Sequence, residues 1–509
     1  MSSTMELLQF LLISLLLLSL LYLLPKIIKY RSSFSSPPGP VGLPFIGNLH
    51  QINPSSLHTS LWQLSKSYGP IIFLNFGFIP SIVVSSASLA KEVLRTQDIA
   101  FCSRPSFIAQ RKLSYNGLDV AFAPYNEYWR EMKKMITIHL LSAKRIRSSR
   151  NIREDEVLRS MKKIHGMALS SKHVNLSEIS MSVMNTILMR VAFGKRYEED
   201  GHERRRILRL LGELQAMVTS FFVSDIWPGL PFVGLIDKLM GNKDRLEKCF
   251  QDLDLFYQEQ IDEHLDPKNS ELHEEEQDII DILIQLKKDQ VLIPFELTFD
   301  HIKAMIADVL VGGTDASTAT VVWAMTALVK NPKVMKKAQE EVRSVVGKKD
   351  HIDEDDLPKL TYLKAVLKEI MRLYPPSPLL VPRETKKDAI LHGYQIKQKT
   401  LVYVNAFAIG RDPESWENPE EFLPERFLAS DVDFRGNDFK LIPFGAGRRI
   451  CPGISMGVIT VELLLANLLY LFDWGLPDGM KKEDIDFEAM PGLTMHKKNE
   501  ICLLAQIYQ

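Results

Sequence analysis

The sequence has few cysteines: four in 509 residues, namely Cys102, Cys249, Cys451 and Cys502. Their spacings match neither a zinc site nor a redox pair, and four cysteines in so long a chain do not form a disulfide framework. This content is consistent with a reducing compartment. The chain also lacks a basic excess, since its formal net charge is −1. Nothing in its overall charge therefore favours nucleic acid as a partner.

The sequence also lacks internal repeats, and no Gly/Ser-rich or Pro-rich linker divides its middle. Length alone suggests about three domains of roughly 150 residues each. Because no linker is found, we expect fewer domains than this length rule gives. With 46% hydrophobic and 25% charged residues, the composition is that of an ordinary globular protein with a large core.

The N-terminal segment Leu7–Leu24 is almost entirely apolar and has about the minimum length of a transmembrane helix. Three basic residues follow this segment: Lys26, Lys29 and Arg31. No basic residue precedes it. A cleaved signal peptide, which is the alternative, would carry its positive charge before the apolar run. The sequence therefore predicts a membrane anchor over residues 1–30, with the following residues in the cytosol by the positive-inside rule.

Residues 31–48 are basic at first and then rich in proline, with the string PPGPVGLPFIGN over Pro37–Asn48. Four prolines and three glycines do not continue a helix. The string predicts a stiff, extended hinge between the membrane anchor and a globular body over residues 49–509. A plain surface loop is the alternative.

The body is predicted to be mainly α-helical with a small β region. Ile71–Ser85 favours a β-hairpin, Leu89–Thr96 favours a helix, and residues 125–345 are mainly helical. Further helices are expected over Leu360–Leu373 and from Ile454 to about Phe472.

One helix stands out by its length and apolar character. Thr298 or Asp300 is expected to cap it, and Asn331-Pro332 ends it after about Lys330. About 30 residues span roughly 45 Å, which is enough to cross a whole domain. Because its middle is apolar and rich in small residues, we expect this helix to be buried.

The segment PFGAGRRICPG contains the cysteine of greatest interest, Cys451. Gly445 and Gly447 allow backbone conformations closed to other residues, so this loop can approach a flat ligand closely. Pro452 suits the first turn of a helix, which would place Cys451 at a helix N-terminus where a thiolate is favoured. Arg449 adds a cation for a carboxylate. This combination of anionic sulfur, N–H donors and a cation is what a haem requires.

The string F-x-x-G-x-R-x-C-x-G is complete, with its fixed positions at Phe444, Gly447, Arg449, Cys451 and Gly453. A structural cysteine on a turn is the alternative for a bare Cys, but five fixed positions in ten argue against chance. With this string the sequence resembles the cytochrome P-450 superfamily, specifically its plant microsomal A-type members, over essentially the whole chain. The resemblance implies one mainly helical prism fold and haem b held by Cys451 as the axial iron ligand.

The family carries Glu-x-x-Arg on a buried helix, which corresponds here to Glu369 and Arg372. The resemblance implies that Arg426 completes a buried Glu–Arg–Arg cluster, whose members must be mutually paired and which supports the cysteine loop. Its role would be structural. The same spacing occurs at Glu156–Arg159 and Glu203–Arg206, which we interpret as solvated surface pairs.

The resemblance also implies further cations for the haem propionates. Arg383 resembles the family's second such residue besides Arg449. The family's Trp-x-x-x-Arg corresponds to Trp129 and Lys133, where Lys keeps the charge but loses the bidentate fork. A core aromatic is the alternative for Trp129.

Eight basic residues occur in one short stretch: Arg130, Lys133, Lys134, Lys144, Arg145, Arg147, Arg150 and Arg153. A solvated helix face is the default interpretation. In the family this region lies where an acidic flavoprotein reductase docks, and complementary charge would speed that encounter. NADPH would then act only indirectly, through the reductase.

The family places an acid and a hydroxyl residue on the long central helix to deliver protons to bound oxygen. The corresponding string is Gly312–Ser317, in which two glycines leave a groove for oxygen and Asp315 would relay protons. Ala316 stands where the family has Thr, and Ser317 points about 100° away from that direction. Three explanations stay open: a water or substrate hydroxyl supplies the hydrogen bond, oxygen is reduced wastefully, or the reaction needs no delivered protons.

By resemblance, five segments line the substrate pocket: Arg104–Phe122, Gln215–Phe222, Ala304–Thr314, Ser377–Leu380 and Pro491–Thr494. Their candidate contacts are apolar, and core packing is the alternative for each: Phe107, Phe221, Phe222, Val309, Leu379, Leu380 and Leu493. Such a lining suits a small lipophilic substrate. Trp227–Gly234 is expected to dip into the membrane.

The sequence therefore predicts a haem-thiolate monooxygenase. It would use O2 and electrons from NADPH to hydroxylate a lipophilic plant specialised metabolite such as a phenolic, aldoxime or terpenoid. We expect a single-pass protein of the endoplasmic reticulum membrane with its catalytic domain in the cytosol. The alternatives are a haem-thiolate isomerase or dehydratase that needs no reductase, and a catalytically idle haem-binding scaffold.

Overall fold

The computed structural model describes residues 36–198, 201–266, 277–289 and 295–508. The expected membrane anchor, residues 1–30, lies outside the described residues. The α-helices of the described part are α1 (Leu57–Tyr68), α2 (Ala87–Lys91), α3 (Asp98–Phe101), α4 (Ile108–Leu113), α5 (Glu127–Met135), α6 (Ala143–Ser148), α7 (Arg150–Leu169), α8 (Leu176–Phe193), α9 (His202–Val218), α10 (Val223–Ile226), α11 (Val233–Leu239), α12 (Asn242–Leu265), α13 (Ile279–Lys288), α14 (Phe299–Lys330), α15 (Pro332–Val346), α16 (Thr361–Leu373), α17 (Ala406–Ile409) and α18 (Ile454–Leu471).

The strands form a small β region beside the helices: β1 (Ile71–Phe76), β2 (Ile79–Val84), β3 (His173–Asn175), β4 (Arg383–Glu384), β5 (Ala389–Leu391), β6 (Tyr394–Ile396), β7 (Leu401–Val404), β8 (Phe472–Gly475) and β9 (Cys502–Ile507). One sheet has the order β1-β2-β7-β4, a second has the order β3-β9-β8, and β5 pairs with β6. Ile71 lies opposite Val84 in the antiparallel pair β1–β2, which confirms the expected hairpin.

Helix α14 is the expected long central helix, and it passes through both large parts of the core. Thr298 caps this helix in a capping box with His301, in which the side chain of each residue bonds to the backbone of the other. The helix ends at Lys330. Its N-terminal half packs with α5, α9, α12 and α13. Its C-terminal half packs with α7, α8, α15, α16 and α18. Because one helix contributes to both cores, the described residues form one body rather than the three domains that length alone suggests.

The proline-rich segment packs against β1 and does not form a free spacer. Pro38 O accepts a hydrogen bond from Phe73 N at 2.8 Å, and Asn48 N donates to Asn75 O at 2.7 Å. A Cβ at Gly47 would overlap the Asn75 carbonyl oxygen, so glycine permits this close approach. Prolines still offer carbonyl acceptors, and through them the segment becomes part of the ordered body.

Glu156 departs from the expected surface pair with Arg159. It is buried on α7 and accepts hydrogen bonds from Arg190 at 2.6 Å and Arg196 at 2.9 Å. Arg159 pairs instead with Asp155 at 3.0 Å. The prediction of a solvated Glu156–Arg159 pair was therefore wrong, because α7 turns this carboxylate inwards against α8.

Three helical segments of the described part are apolar and long enough to cross a membrane by length and composition: His202–Ile226, Phe299–Lys330 and Ile454–Leu471. In each of the last two segments, 61% of the most apolar stretch of 18 residues is buried inside the protein. The apolar character of α14 and α18 therefore serves the core.

Candidate functional site

The loop that carries Cys451 is tightly turned. Gly445 and Gly447 have φ values of +68° and +69°, in the left-handed region that glycine tolerates best. A Cβ at Gly447 would also overlap the backbone oxygen of Leu94. Phe444 O accepts a hydrogen bond from Cys451 N at 3.0 Å and closes the turn. The predicted need for glycine at both positions is confirmed.

The helix after the loop begins at the expected residue, but the expected place of Pro452 in its first turn was wrong. It starts at Ile454 with Gly453 as its N-cap, so Cys451 precedes the cap and Pro452 lies outside the helix. Burial raises the pKa of the Cys451 thiol, while the Gly453 N–H and the charge of Lys133 lower it. The expected helix N-terminal stabilisation of the thiolate is thus replaced by one backbone donor and one nearby cation. The protein alone favours the thiol, and a metal bound to the sulfur would hold it deprotonated.

Three buried arginines lie close to this loop: Arg104, Arg383 and Arg449. Arg449 donates to the carbonyl oxygens of Cys102 at 2.9 Å and Ala123 at 2.6 Å. Burial and the positive charge of Arg383 together lower the pKa of Arg449 to about 9. Arg104 was not identified from the sequence, although a lone arginine in the otherwise apolar stretch FCSRPSFI is a usable signal.

The buried arginines outnumber the ionised carboxylates beside them. Asp98 pairs with Arg383 at 3.0 Å. Asp119 is buried too but forms no ion pair with any of these three arginines, and burial and the neighbouring Asp308 raise its pKa well above the usual range. Unpaired buried charge is strongly unfavourable. The site therefore calls for an added anion, and the two propionates of a haem fit this requirement.

Trp129 and Lys133 both contact the groups around Cys451. Lys133 Nζ donates to Arg448 O at 2.5 Å and Ile450 O at 2.7 Å, and so holds the cysteine loop from α5. Burial lowers the pKa of Lys133 to about 8, and Cys451 opposes this shift. The guanidinium of Arg449 lies 4.1 Å from the centre of the Trp129 ring. Their expected contact with a propionate stays a prediction.

The Glu–Arg–Arg cluster is present, and its members are mutually paired. Arg372 Nε donates to Glu369 Oε2 at 2.6 Å, and Arg426 Nε donates to Glu369 Oε1 at 3.1 Å. Arg372 also donates to Pro419 O at 2.6 Å and Glu421 O at 3.0 Å. The cluster therefore fixes the segment before Arg426. No hydrogen bond from it reaches the cysteine loop within the described residues, so the expected support of that loop is indirect.

The distal string on α14 has one open glycine and one packed glycine. Gly312 faces open space, whereas a Cβ at Gly313 would lie 2.6 Å from a methyl of Leu188 on α8. A Cβ at Gly457 would lie 3.7 Å from Ser317 Oγ, so Ser317 faces α18 and does not replace the missing threonine. The groove is therefore due to Gly312, while Gly313 serves helix packing.

Two buried polar atoms of this string have no hydrogen-bond partner among the described residues: Thr314 Oγ1 and Asp315 Oδ1. The other carboxylate oxygen, Asp315 Oδ2, lies 3.6 Å from Nε2 of His496. Sequence reasoning missed His496, because it stands far along the chain and no local pattern links it to α14. Orphaned polar atoms of this kind indicate a site that binds further polar groups.

Hydrogen bonds join several of the segments expected to line the pocket, or residues next to them. Asp308 accepts hydrogen bonds from Val120 N at 2.7 Å and Ala121 N at 3.3 Å, which ties the first segment to the central helix. Ile108 N donates to Asp225 at 3.0 Å, and Met495 N donates to Pro376 O at 2.8 Å. Ser377 Oγ also reaches Leu493 O at 3.5 Å.

The apolar candidates differ in their surroundings. Phe107 and Leu379 are partly buried in one apolar cluster. Leu380 lies beside the cysteine loop, since its Cδ1 would be 3.9 Å from a Cβ placed on Gly445. Val309 and Leu493 are partly buried, on α14 and in the C-terminal segment. Phe222 is fully buried in the core. Phe221 is 49% exposed with its ring 6.4 Å from that of Trp227, so it lies at the surface and not with the buried candidates.

A partly buried cysteine sulfur beside buried guanidinium groups suits a haem-thiolate protein, because a flat metal cofactor with two carboxylates would satisfy both. The sequence model of the family described as Cytochrome P450 matches residues 37–504. The chain belongs to the cytochrome P450 family. A solved zebra fish cytochrome P450 with progesterone has a TM-score of 0.74 at 25% identity, covering 88% of this chain and 99% of that chain.

The curated relatives are plant enzymes. The chain is 52% identical to a 6,7,8-trihydroxycoumarin synthase of Pastinaca sativa, over 93% of this chain and 94% of the relative. It is 50% identical to a 5-OH-xanthotoxin synthase of the same species, over 94% and 95%. It is 47% identical to Cytochrome P450 71A9 of Glycine max, over 92% of each. The expected plant A-type membership, the mainly helical fold and the haem cofactor are confirmed.

The protein is thus an oxidoreductase, a plant haem monooxygenase of specialised metabolism that works with a redox partner, O2 and a small substrate. Bound haem supplies oxygen activation, with electrons that originate from NADPH and arrive through the reductase.

Proposed function

We propose that this protein hydroxylates a coumarin-type phenolic. The observation that carries this proposal is that relatives 52% and 50% identical over nearly the whole chain are named for hydroxyl-bearing coumarins. A flat aromatic substrate also suits the partly buried apolar side chains around α14, such as Phe107, Val309 and Leu379. Among the substrate classes that the sequence left open, this favours phenolics over aldoximes and terpenoids.

In this proposal the proximal residues hold the cofactor. Cys451 is the axial ligand, with the Gly453 N–H directed at its sulfur and Lys133 fixing its loop. Arg104, Arg383 and Arg449 neutralise the propionates, which removes the buried excess of positive charge.

The distal residues admit oxygen and deliver protons. Gly312 leaves open space on α14, and Asp315 lies one helical turn further along the same face. Asp315 would hold a proton at Oδ1, the atom that has no other partner among the described residues. Without a hydroxyl at position 316, a water or a hydroxyl of the phenolic substrate completes the hydrogen bonding.

An exposed apolar patch supports the expected association with the endoplasmic reticulum membrane. We define the apolar patch by Val41, Leu43, Ile46, Phe232, Leu235, Ile236, Leu239 and Met240, all exposed. The two chain regions that form it meet where Trp227 Nε1 donates to Phe45 O at 2.8 Å. Exposed apolar surface of this kind is typical of a membrane contact, and the basic segment 26–31 would keep the body on the cytosolic side.

The reductase would dock on the side of the cysteine loop, where α5 meets it through Lys133. Exposed basic residues there include Arg130, Lys134 and Arg147. Arg153, which the sequence grouped with them, is fully buried and pairs with Glu354 at 2.6 Å. That residue therefore belongs to the core and not to the proposed docking face.

The test uses the full-length protein with its reductase and NADPH in lipid vesicles. Candidate substrates are a dihydroxycoumarin, xanthotoxin, an aldoxime and a monoterpene, and the readouts are the haem spin-state shift and labelled oxygen in the product. We expect a spin shift and NADPH-dependent hydroxylation with a coumarin, and none with Cys451→Ser. Product without NADPH would support the isomerase or dehydratase instead. Turnover of only the aldoxime or the monoterpene would overturn the substrate class while leaving the monooxygenase intact.

A further inference from the structure

His496 faces the buried acid of the distal helix. Its Nε2 lies 3.6 Å from Asp315 Oδ2, which is an ion-pair distance and slightly longer than a hydrogen bond. The His496 side chain is 20% exposed, whereas that of Asp315 is 7% exposed. The imidazole thus lies between solvent and an acid that is almost fully buried.

Among the described residues, Asp315 forms no ion pair with a second cation. Its only ion pair there is the one with His496, and its Oδ1 accepts no hydrogen bond. A buried carboxylate without compensation is strongly unfavourable. Among the described residues, His496 is therefore the group that can pair with this carboxylate.

The other charged groups around His496 on the C-terminal segment are already paired. Lys497 Nζ lies 3.0 Å from Asp486, and Lys498 Nζ lies 2.7 Å from Glu488. Neither lysine replaces His496 at Asp315. On α14, Asp315 is the titratable group that contacts His496.

The backbone around His496 is fixed on α14. Trp323 Nε1, two turns after Asp315, donates to Met495 O at 2.7 Å. His496 O accepts from Met490 N at 2.8 Å. The imidazole is therefore presented to Asp315 by a segment that is itself hydrogen-bonded to the same helix.

Solvent reaches the neighbourhood of His496 through a cavity of about 570 Å³. Its wall includes Met495 and Lys498, which lie on either side of His496 in the sequence. Ser55 and Glu488 are exposed residues on the same wall, so the cavity opens to bulk water. The cavity wall does not include His496 itself, whose side chain is 20% exposed, so water reaches the neighbours of the imidazole and its exposed part.

We propose that His496 positions and protonates Asp315, as a relay from solvent to the distal pocket. This rests on the proposed role of Asp315. The imidazolium gives its Nε2 proton to Asp315 Oδ2 and regains one from cavity water. Hydroxylation consumes two protons with two electrons and O2, and releases one water molecule, so the relay acts twice in each turnover. A protonated carboxyl supplied in this way offers the O–H donor that Ala316 lacks.

The first test measures the pair itself in the holoenzyme, independently of turnover. Carbethoxylation of His496 by diethyl pyrocarbonate is followed by mass spectrometry as a function of pH, in wild type and Asp315→Asn. The carboxylate contacts Nε2, so we expect His496 to be modified faster in Asp315→Asn than in wild type at the same pH. Identical curves in the two proteins would overturn the pairing.

The second test measures the use of the protons. We expect His496→Gln to lower product formed per NADPH at least several-fold, to increase the solvent deuterium effect, and to weaken the pH dependence of the coupling efficiency. His173→Gln, at an exposed histidine on β3, is the matched control and should change none of these. The carbon-monoxide difference spectrum and the substrate spin shift should stay as in wild type.

The double variant separates the possible failures. If both residues act in one relay, His496→Gln in the Asp315→Asn background should add no further loss. Loss in Asp315→Asn with normal coupling in His496→Gln would overturn the relay and keep Asp315. Normal coupling in both variants would overturn the proposed role of Asp315 as well. If His496→Gln lost its haem spectrum, the carbethoxylation curves would still decide the pairing.

Discussion

At the scale of single residues, position 316 determines what its neighbours must supply. Ala316 contributes only its carbonyl, which accepts a hydrogen bond from Thr320 Oγ1 at 2.7 Å, and Ser317 faces α18. Proton delivery then depends on Asp315 and on groups that enter the pocket. The chain therefore differs from the family pattern on the distal side, in addition to the Lys133 that stands for Arg beside the cysteine loop.

Restoring a hydroxyl should make oxygen use less wasteful. We expect Ala316→Thr to lower the hydrogen peroxide released per NADPH by about twofold or more. A twofold change in this ratio requires only a fraction of the roughly 1.4 kcal/mol that gives a tenfold change. Ala316→Val has the same shape without the hydroxyl and should not lower peroxide release. Peroxide and product are measured together. Unchanged rate and leakage in Ala316→Thr would mean that position 316 is not limiting.

Two Glu-x-x-Arg pairs with the same spacing contribute differently to stability, because one pair is buried and the other is exposed. Glu369 is fully buried between two arginines, whereas the Glu203 side chain is 51% exposed beside Arg206. We expect Glu369→Gln to destabilise the fold by about 3–5 kcal/mol, because two buried cations lose their partner. Glu203→Gln should change stability by less than about 1 kcal/mol. Urea unfolding followed by haem release measures both, and equal effects would contradict this account.

At the scale of elements, Asp308 links α14 to the loop before α5. It accepts hydrogen bonds from Val120 N and Ala121 N, while Arg449 and Trp129 both donate to Val120 O at 3.2 Å and 3.0 Å. The loop is thus held from the distal helix on one side and from the cysteine loop on the other. A change at either side is transmitted to the expected substrate pocket.

This link predicts a pH dependence of stability. Burial raises the pKa of Asp308 to about 6, and the N–H groups of Val120 and Ala121 oppose the shift. Because this pKa is above that of the unfolded chain, the carboxyl contributes stability that is complete below about pH 4 and lost as pH rises through about 6. We expect Asp308→Asn to reduce the slope of the unfolding midpoint over this range.

The control removes the acceptor as well as the charge. Asp308→Ala leaves two backbone N–H groups without a partner and should cost about 1–3 kcal/mol at every pH. Parallel slopes for wild type and Asp308→Asn would refute the assignment of the titration to Asp308.

At the scale of the whole molecule, the apolar patch combines residues of the proline-rich hinge segment with residues of α11 and its two ends. Phe232 and Leu239 are 77% and 79% exposed, which is costly in water unless another apolar phase covers them. A body held by an anchor before residue 31 would place this surface at the bilayer. Membrane contact would then involve the body and not only the anchor.

We expect the double variant Phe232→Asp/Leu239→Asp, in a chain starting at Pro37, to bind phospholipid vesicles at least tenfold more weakly. Two aspartates remove apolar area and add repulsion from anionic lipid. Leu169→Asp changes an equally exposed leucine outside the apolar patch and is the control. Co-sedimentation with vesicles measures both. Equal binding by all three chains would show that the apolar patch does not touch the membrane.

Several features were accessible from the sequence because they depend on neighbours along the chain. The glycines at 445 and 447, the cap at Thr298 and the hairpin β1–β2 all follow from local backbone preferences. The start of α18 at Ile454 was predicted, but Pro452 does not form its first turn, since proline suits a first turn without requiring one.

The remainder of the site required residues that are far apart in the chain to meet. Arg104 became a candidate only when its guanidinium was found buried near Arg383 and Arg449. Glu156 and Arg153 resembled surface charges until α7 turned them inwards. No periodicity encodes such encounters, because they depend on how the helices pack.

The sequence by itself determined the family, the cysteine ligand and the missing hydroxyl at Ala316, because each is written in contiguous residues. Only the tertiary structure decided the buried excess of arginine charge, the inward orientation of Glu156, and the contact of His496 with Asp315 across 181 positions of sequence. The physical reason is the same in each case. Burial and charge pairing are properties of the packed body, and they arise only where distant segments exclude water together.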